Sequence, residues 1–347
     1  MRQRGLDRRS TVILLVGGLS FAGACSPQAT EAKPAEEESG GDSASPSDTG
    51  GPAPALPGEF TGFDTSKEQY PRGLTRFGEK LYVSFAPTGE VAKVDSRGRV
   101  SSYARVPFTA GQGQLNGLLA DYEGQLYAAL ASSSVDVASG LYLIPEGGGE
   151  ASLVATAEGV VDPQHLAMDT ALRVYLTDSA GRIWRWDGGS SLDLWSEDPT
   201  LQGDPTACGS DRSSAFGASG ILFASGYVYV TNADTGTLFR FPVVSDASAG
   251  PVEVVAGPDC ALAGLDGLAR TLDGRVFAAV GWTDRLVEIG ADDSVTELGS
   301  GPPFDDPAAV LVDETDGVGR IYVASSALRE WRAGERGAPA IVRMDIP

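Results

Sequence analysis

From residue 70 onward, apolar residues come in short runs rich in Val, Ile, Tyr and Phe, and turn residues interrupt them every few positions. Val228-Tyr229-Val230-Thr231-Asn232 and Arg320-Ile321-Tyr322-Val323-Ala324 show the pattern, with bulky strand formers between turn signals. No apolar stripe of helical period competes with it. Asp273-Gly274 and Glu123-Gly124 sit where a tight hairpin needs a permissive backbone. The runs form six copies of one unit, each with a polar-then-apolar lead, a turn, and further strands. The leads are PRGLTRFGEKLYVSF from Pro71, LNGLLADYEGQLYAAL from Leu115, PQHLAMDTALRVYLTD from Pro163, ASGILFASGYVYVTN from Ala218, LDGLARTLDGRVFAAV from Leu265 and PAAVLVDETDGVGRIYVAS from Pro307. Their first polar positions, Arg72, Asn116, Gln164, Ser219, Asp266 and Ala308, recur roughly every 42 to 55 residues, the period of propeller blades.

A blade cannot bury both of its faces alone, so the expected fold is all-β: a six-bladed β-propeller closed around a channel. The last copy supplies three strands, ending in Ala340-Ile341-Val342-Arg343-Met344. Residues 59–65, EFTGFDT, are expected to add its outer fourth strand and close the ring. The domain organisation read from the chain is a leader over 1–24, a linker over 25–57 and a propeller over 58–347.

The leader carries Arg2, Arg4, Arg8 and Arg9 before an apolar run from Thr11 to Ala22 that is too short to span a bilayer. Phe21-Ala22-Gly23-Ala24-Cys25 resembles a bacterial lipobox, which implies that Cys25 is lipidated after cleavage, with Ala22 where that motif usually has Leu. Arg8-Arg9 resembles part of a twin-arginine signal, but Thr11-Val12 replaces its usual Phe-Leu. The linker is rich in Pro, Ser, Gly and Ala, with Glu31, Glu36, Glu37, Glu38, Asp42 and Asp48 against Lys33 alone. Such a segment buries too little apolar surface to offset its ordering entropy and reads as a disordered tether. The expectation is a lipid-anchored monomer of the bacterial cell envelope, at the outer membrane or cell surface where the host has one.

Charge narrows the partners. The 347 residues hold 26 Lys plus Arg against 47 Asp plus Glu, a net charge of -21, which disfavours nucleic acid. One histidine and three cysteines exclude zinc sites built from several His or Cys. With Cys25 lipidated, Cys208 and Cys260 lie in the loops before the fourth and fifth copies. Those loops emerge on one face of a propeller, and export permits a disulfide between them. The alternative is two thiols that never reach bonding geometry.

The six lead positions ring the channel mouth, where propeller sites lie. Asp266 is their only carboxylate; Arg72, Asn116, Gln164 and Ser219 are candidate ligand-binding residues, and His165 follows Gln164. One acid among neutral oxygen donors suits a hard divalent cation such as Ca²⁺ or a polar ligand. Trp184, Trp186 and Trp282 read as blade packing. Gly147-Gly148-Gly149 opens no helix and so cradles no phosphate. Ser132-Ser133-Ser134 and Ser213-Ser214 form no nucleophile elbow. Asp292-Asp293 and Asp305-Asp306 read as solvated loop charges.

The repeat resembles the superfamily of senescence marker protein, gluconolactonases and luciferin-regenerating enzymes over essentially all of residues 59–347. The fifth copy, LDGLARTLDGRVFAAVGWTDRLVEI, and the fourth, SGILFASGYVYVTN, carry the resemblance. It implies a divalent metal held by a Glu of the first blade, an Asn of the fourth and an Asp of the fifth, and hydrolysis of lactones or related esters. Asp266 matches the Asp. Ser219 stands at the Asn position and Arg72 nearest the Glu position, with Glu68 displaced by a few residues. A guanidinium in the place of a ligand repels a cation. The expectation is therefore a scaffold that binds a small molecule or an envelope protein, with a divergent hydrolase using Asp266 and His165 as the alternative.

Overall fold

The structure, a computed structural model, describes residues 57–209, 212–290, 292, 294–315 and 317–347. The leader, Cys25 and most of the linker lie outside the described residues. The rest forms six small antiparallel sheets in a ring, a six-bladed β-propeller. In chain order the innermost strands are Pro71–Phe77, Gly113–Ala120, Pro163–Met168, Ala218–Ala224, Leu265–Arg270 and Pro307–Asp313. Each contacts the next, and the sixth contacts the first. The only α-helix among the described residues is the short turn Leu328–Arg332.

The ring closes as the pattern predicts. Gly58–Gly62 pairs antiparallel with Ala340–Asp345, making the sixth blade from both ends of the described chain. One feature escaped the pattern: Gly149–Glu150, beside the expected hairpin of the second blade, pairs parallel with Ala104–Arg105 and adds a fifth strand to the first blade.

Burial is organised between blades. Six apolar cores each join two neighbours: Leu115 and Leu130 pack with Val91, for example, and Val83 and Leu74 pack with Ile341 and Tyr322 across the closure. Each blade is a wedge whose two faces are completed only by its neighbours.

Every innermost strand has a register irregularity at its lead position, between Pro71 and Leu74 in the first blade and at the corresponding places in the other five. Four leads are followed by glycine, and the neighbouring blade explains why. A Cβ on Gly117 would stand 2.7 Å from the Gln164 carbonyl oxygen, and Gly73, Gly220 and Gly267 face the carbonyls of Asn116, Asp266 and Ala308 in the same way. Hydroxyls of the second strands stitch three of these junctions. Ser84 accepts the Gly73 N–H (2.7 Å) and donates to the Asn116 carbonyl (2.6 Å). Thr177 links His165 to Ser219, and Thr231 links Gly220 to Asp266. The blades thus meet backbone to backbone around the channel.

Candidate functional site at the channel mouth

Cys208 and Cys260 form the expected disulfide, with Cα atoms 5.1 Å apart. It joins two short turns, Ala207–Gly209 and Cys260–Leu262, ahead of the fourth and fifth blades. At the channel mouth opens a cavity of about 350 Å³, whose walls include Arg72, Gln164 and Asp266.

Asp266 is the hub of the floor. Its Oδ2 pairs with the Arg72 guanidinium, while its Oδ1 lies 2.9 Å from His165 Nε2 and accepts the Ser219 hydroxyl at 2.7 Å. Arg72 also donates to Gln164 Oε1 at 3.0 Å. Burial alone would push the Asp266 carboxyl up, but Arg72, His165 and Ser219 outweigh it and bring it down to about 2. Burial likewise opposes the charge of Arg72, and the adjacent Asp266 more than restores it. Asn116 is buried and structural in its one bond: its amide donates to the Pro163 carbonyl at 2.7 Å, bridging the second and third blades. Five of the six lead positions are therefore polar and buried as expected, but only Arg72, Gln164 and Asp266 face the cavity. Glu68 does not replace the missing metal ligand. It is exposed and lines a separate groove of about 550 Å³ on the flank of the first blade.

A divalent cation does not fit this floor. Both Asp266 oxygens are taken, the Arg72 guanidinium lies against one of them, and no group of three His, Cys, Asp or Glu side chains is disposed for a metal among the described residues.

Asp306, Arg212, Trp282 and Arg332 were not read as site residues in the sequence, whereas Asp162 stood with Glu68 as a carboxylate that would favour the hydrolase alternative if it reached the mouth. Asp306, expected as a solvated charge, lines the cavity and is held at Oδ2 by the Ser326 hydroxyl (2.8 Å) and the Arg329 N–H (3.1 Å). Its neighbour Asp305 accepts the Ala338 N–H at 2.7 Å, so that pair is structural rather than free in solvent. Asp162 lines the mouth from the third blade and accepts the Ser179 hydroxyl at 2.6 Å. Burial raises both carboxyls; Ser179 offsets it only in part at Asp162, and Arg72 only in part at Asp306. Arg212 stacks over the Trp282 ring, 3.8 Å from its centroid, so Trp282 belongs to the cavity wall rather than to blade packing. Trp184 does pack inside its blade. Arg332 reaches across the mouth to Gln114 Oε1 at 3.0 Å. Burial lowers the pKa of both guanidiniums, with the charge of Arg72 adding to the effect at Arg332. A signal for the carboxylates was present: Asp162-Pro163 and Asp306-Pro307 precede the leads of the opposed third and sixth blades.

No protein-family model matches the chain, and no curated protein does. Solved structures match it over most of its length. A structure described as a putative gluconolactonase overlaps with a TM-score of 0.60 at 15% identity, covering 85% of this chain and 93% of that one. The calcium-binding protein regucalcin from Agrobacterium tumefaciens gives 0.58 at 14%, covering 82% and 94%. A gluconolactonase from Xanthomonas campestris gives 0.55 at 14%, covering 86% and 99%. The fold is thus that of the gluconolactonase and regucalcin-like propellers. At such identities the likeness fixes architecture, and chemistry has to be argued from the site.

Proposed function

We propose that the channel mouth is a small-molecule site and that this protein hydrolyses a lactone or related ester there without a divalent metal. The observation that carries the reading is the cavity itself: about 350 Å³, walled by charged groups from several blades, a size suited to one small polar molecule. The fold likeness to two gluconolactonases supports a hydrolase over the scaffold expected from the sequence.

The residues supply what such a reaction needs in another form. Asp306, with Asp162 as the second carboxylate, is the group to take a proton from water, because burial brings its basicity closer to neutrality. The resulting hydroxide adds to the carbonyl carbon, negative charge gathers on the carbonyl oxygen beside a guanidinium, and the ring or ester C–O bond breaks as the proton passes to the leaving oxygen. Asp266 and His165 are bound to one another and to Arg72 and Ser219, and they hold that guanidinium in place.

The test is a panel of lactones and aryl esters with residues 57–347, assayed with chelator and then with added Ca²⁺, Mg²⁺, Mn²⁺ or Zn²⁺. Turnover unaffected by chelator is expected, with Asp306→Asn lowering kcat by about 10²-fold or more while the fold is kept. Activity needs the ionised carboxylate, and its pKa is raised, so the acid limb of the pH profile should lie above the ordinary carboxylate range. Strict dependence on an added metal, or no turnover across the panel, overturns the proposal.

The same proposal includes an address. The basic leader, the lipobox-like Phe21 to Cys25 and the acidic linker support a lipid-tethered propeller in the bacterial envelope, at the outer membrane or cell surface where there is one. In a bacterial host, the full chain should partition into the detergent phase and Cys25→Ser should not. Equal partitioning of the two would refute the anchor.

A further inference from the structure

We infer that the molecule taken at the channel mouth carries a carboxylate, and that Arg212 and Arg332 recognise it. This rests on the channel-mouth site proposed above and narrows its substrate to anionic lactones or esters.

The mouth holds three guanidiniums, and only one is matched. Arg72 is paired with Asp266 on the floor. Arg212 and Arg332 line the cavity above it, and among the described residues neither has a carboxylate within salt-bridge distance. Other arginines divide: Arg76, Arg173, Arg240, Arg275, Arg285 and Arg329 have acidic partners, while Arg105 and Arg182, out on the blades, have none within that distance among the described residues. Arg72, Arg212 and Arg332 stand against Asp162, Asp266 and Asp306 on this wall, so the mouth is balanced in charge while the whole chain carries -21.

Their placement suits recognition. Arg212 sits over the Trp282 ring, which holds its guanidinium by a cation–π contact without neutralising it. Arg332, from the helical turn Leu328–Arg332, is steadied by the neutral Gln114 and has no carboxylate in direct contact among the described residues. Arg332 feels the positive charges of Arg72 and Arg212, offset in part by Asp306 and Asp162, while Arg212 faces the charges of Asp234 and Asp306. A carboxylate between them relieves that repulsion and meets planar donors that match its geometry. Asp162 and Asp306, also on the wall, disfavour an anion beside them, and their hydroxyl and backbone bonds orient them away from a purely ionic role.

The experiment uses calorimetry on residues 57–347 with glucuronate and glucose, which differ in a carboxylate against a hydroxymethyl. Saturable glucuronate binding is expected, at least tenfold tighter than glucose and weakened by raising salt from about 50 to 500 mM. Arg212→Gln and Arg332→Gln should each weaken glucuronate at least tenfold. Arg240→Gln removes the same charge from an exposed pair with Glu253 and should leave binding unchanged. Thermal melts of each variant establish that it is folded. Binding of glucose as tight as glucuronate, no glucuronate binding, or affinity untouched in both arginine variants overturns the inference. The two proposals fail differently. Efficient turnover of neutral lactones keeps the hydrolase and removes the carboxylate requirement; arginine-dependent glucuronate binding without turnover of any lactone or ester keeps the anion site and removes the hydrolase.

Discussion

Asp266 has a guanidinium, not a metal, as its counter-charge. A buried carboxylate at the channel floor needs a cation beside it, because an unpaired charge there costs several kcal/mol. The resemblance implies a divalent ion held jointly with a first-blade Glu and a fourth-blade Asn. Here Arg72 supplies the positive charge from the first-blade position, and the shorter Ser219 reaches Asp266 directly. If that substitution explains why no metal fits, reversing it should restore one. Arg72→Glu combined with Ser219→Asn is expected to bind about one Ca²⁺ or Mn²⁺ per chain by elemental mass spectrometry, against none dependent on Asp266 in the parent. The double variant should melt at higher temperature with the ion than without it, since a ligand bound only to the folded state stabilises it. No uptake would mean that the floor differs from the metal-binding arrangement in more than these two residues. Asp266 was legible in the sequence because it sits at a repeated position in a copy with an intact motif. Arg212 and Arg332 were not, because one lies in the connection before the fourth copy and the other in a loop inside the sixth, where only the folded ring brings them to the mouth.

At the level of elements, the same short segment of each blade serves both stability and site. The irregular register at the lead turns one side chain toward the channel, and the following glycine lets the next blade's carbonyl approach. A second-strand hydroxyl then satisfies the groups that the irregularity leaves unpaired, as Thr231 does for Gly220 and Asp266. Blades two, five and six carry Ala129, Ala279 and Ala324 in place of Ser84, Thr177 and Thr231, and in the second the Asn116 amide bridges to Pro163 instead. This division was half legible. The period gave the lead positions and the glycines marked a close approach, yet nothing in Asn116-Gly117 alone separates a ligand group from a strut. The parallel pairing of Gly149–Glu150 with the first blade was hidden for another reason: it is made by a turn region with no strand-like pattern.

A ring of wedges is only as stable as its last junction, and in this molecule that junction is made by the strand farthest from it in sequence. Gly58–Gly62 contributes no innermost strand and no site residue, so its role is to hold the sixth blade to its own outer edge. Phe60 stands edge-on to Tyr322, with ring centres 5.6 Å apart, and Phe63 stands likewise to Phe85 of the first blade at 5.0 Å. The segment therefore ties the two blades on either side of the closure. Two phenylalanines this partly buried contribute on the order of 2–4 kcal/mol, a sizeable share of the 5–15 kcal/mol typical of a folded domain. A chain beginning at Asp64 should consequently lose far more than an edge strand's own hydrogen bonds. Its melting temperature is expected to fall by ten degrees or so, about 2–4 °C per kcal/mol at this size, relative to a chain beginning at Pro57. Phe60→Ala with Phe63→Ala in the longer chain should reproduce most of the loss while leaving the backbone pairing possible. If both variants melt with the parent, the first and sixth blades are held by the inner strands alone, and the N-terminal strand is an ornament of the sixth blade. If the aromatic variant melts normally and the truncation does not, the backbone ladder carries the closure and the shared aromatic core does not.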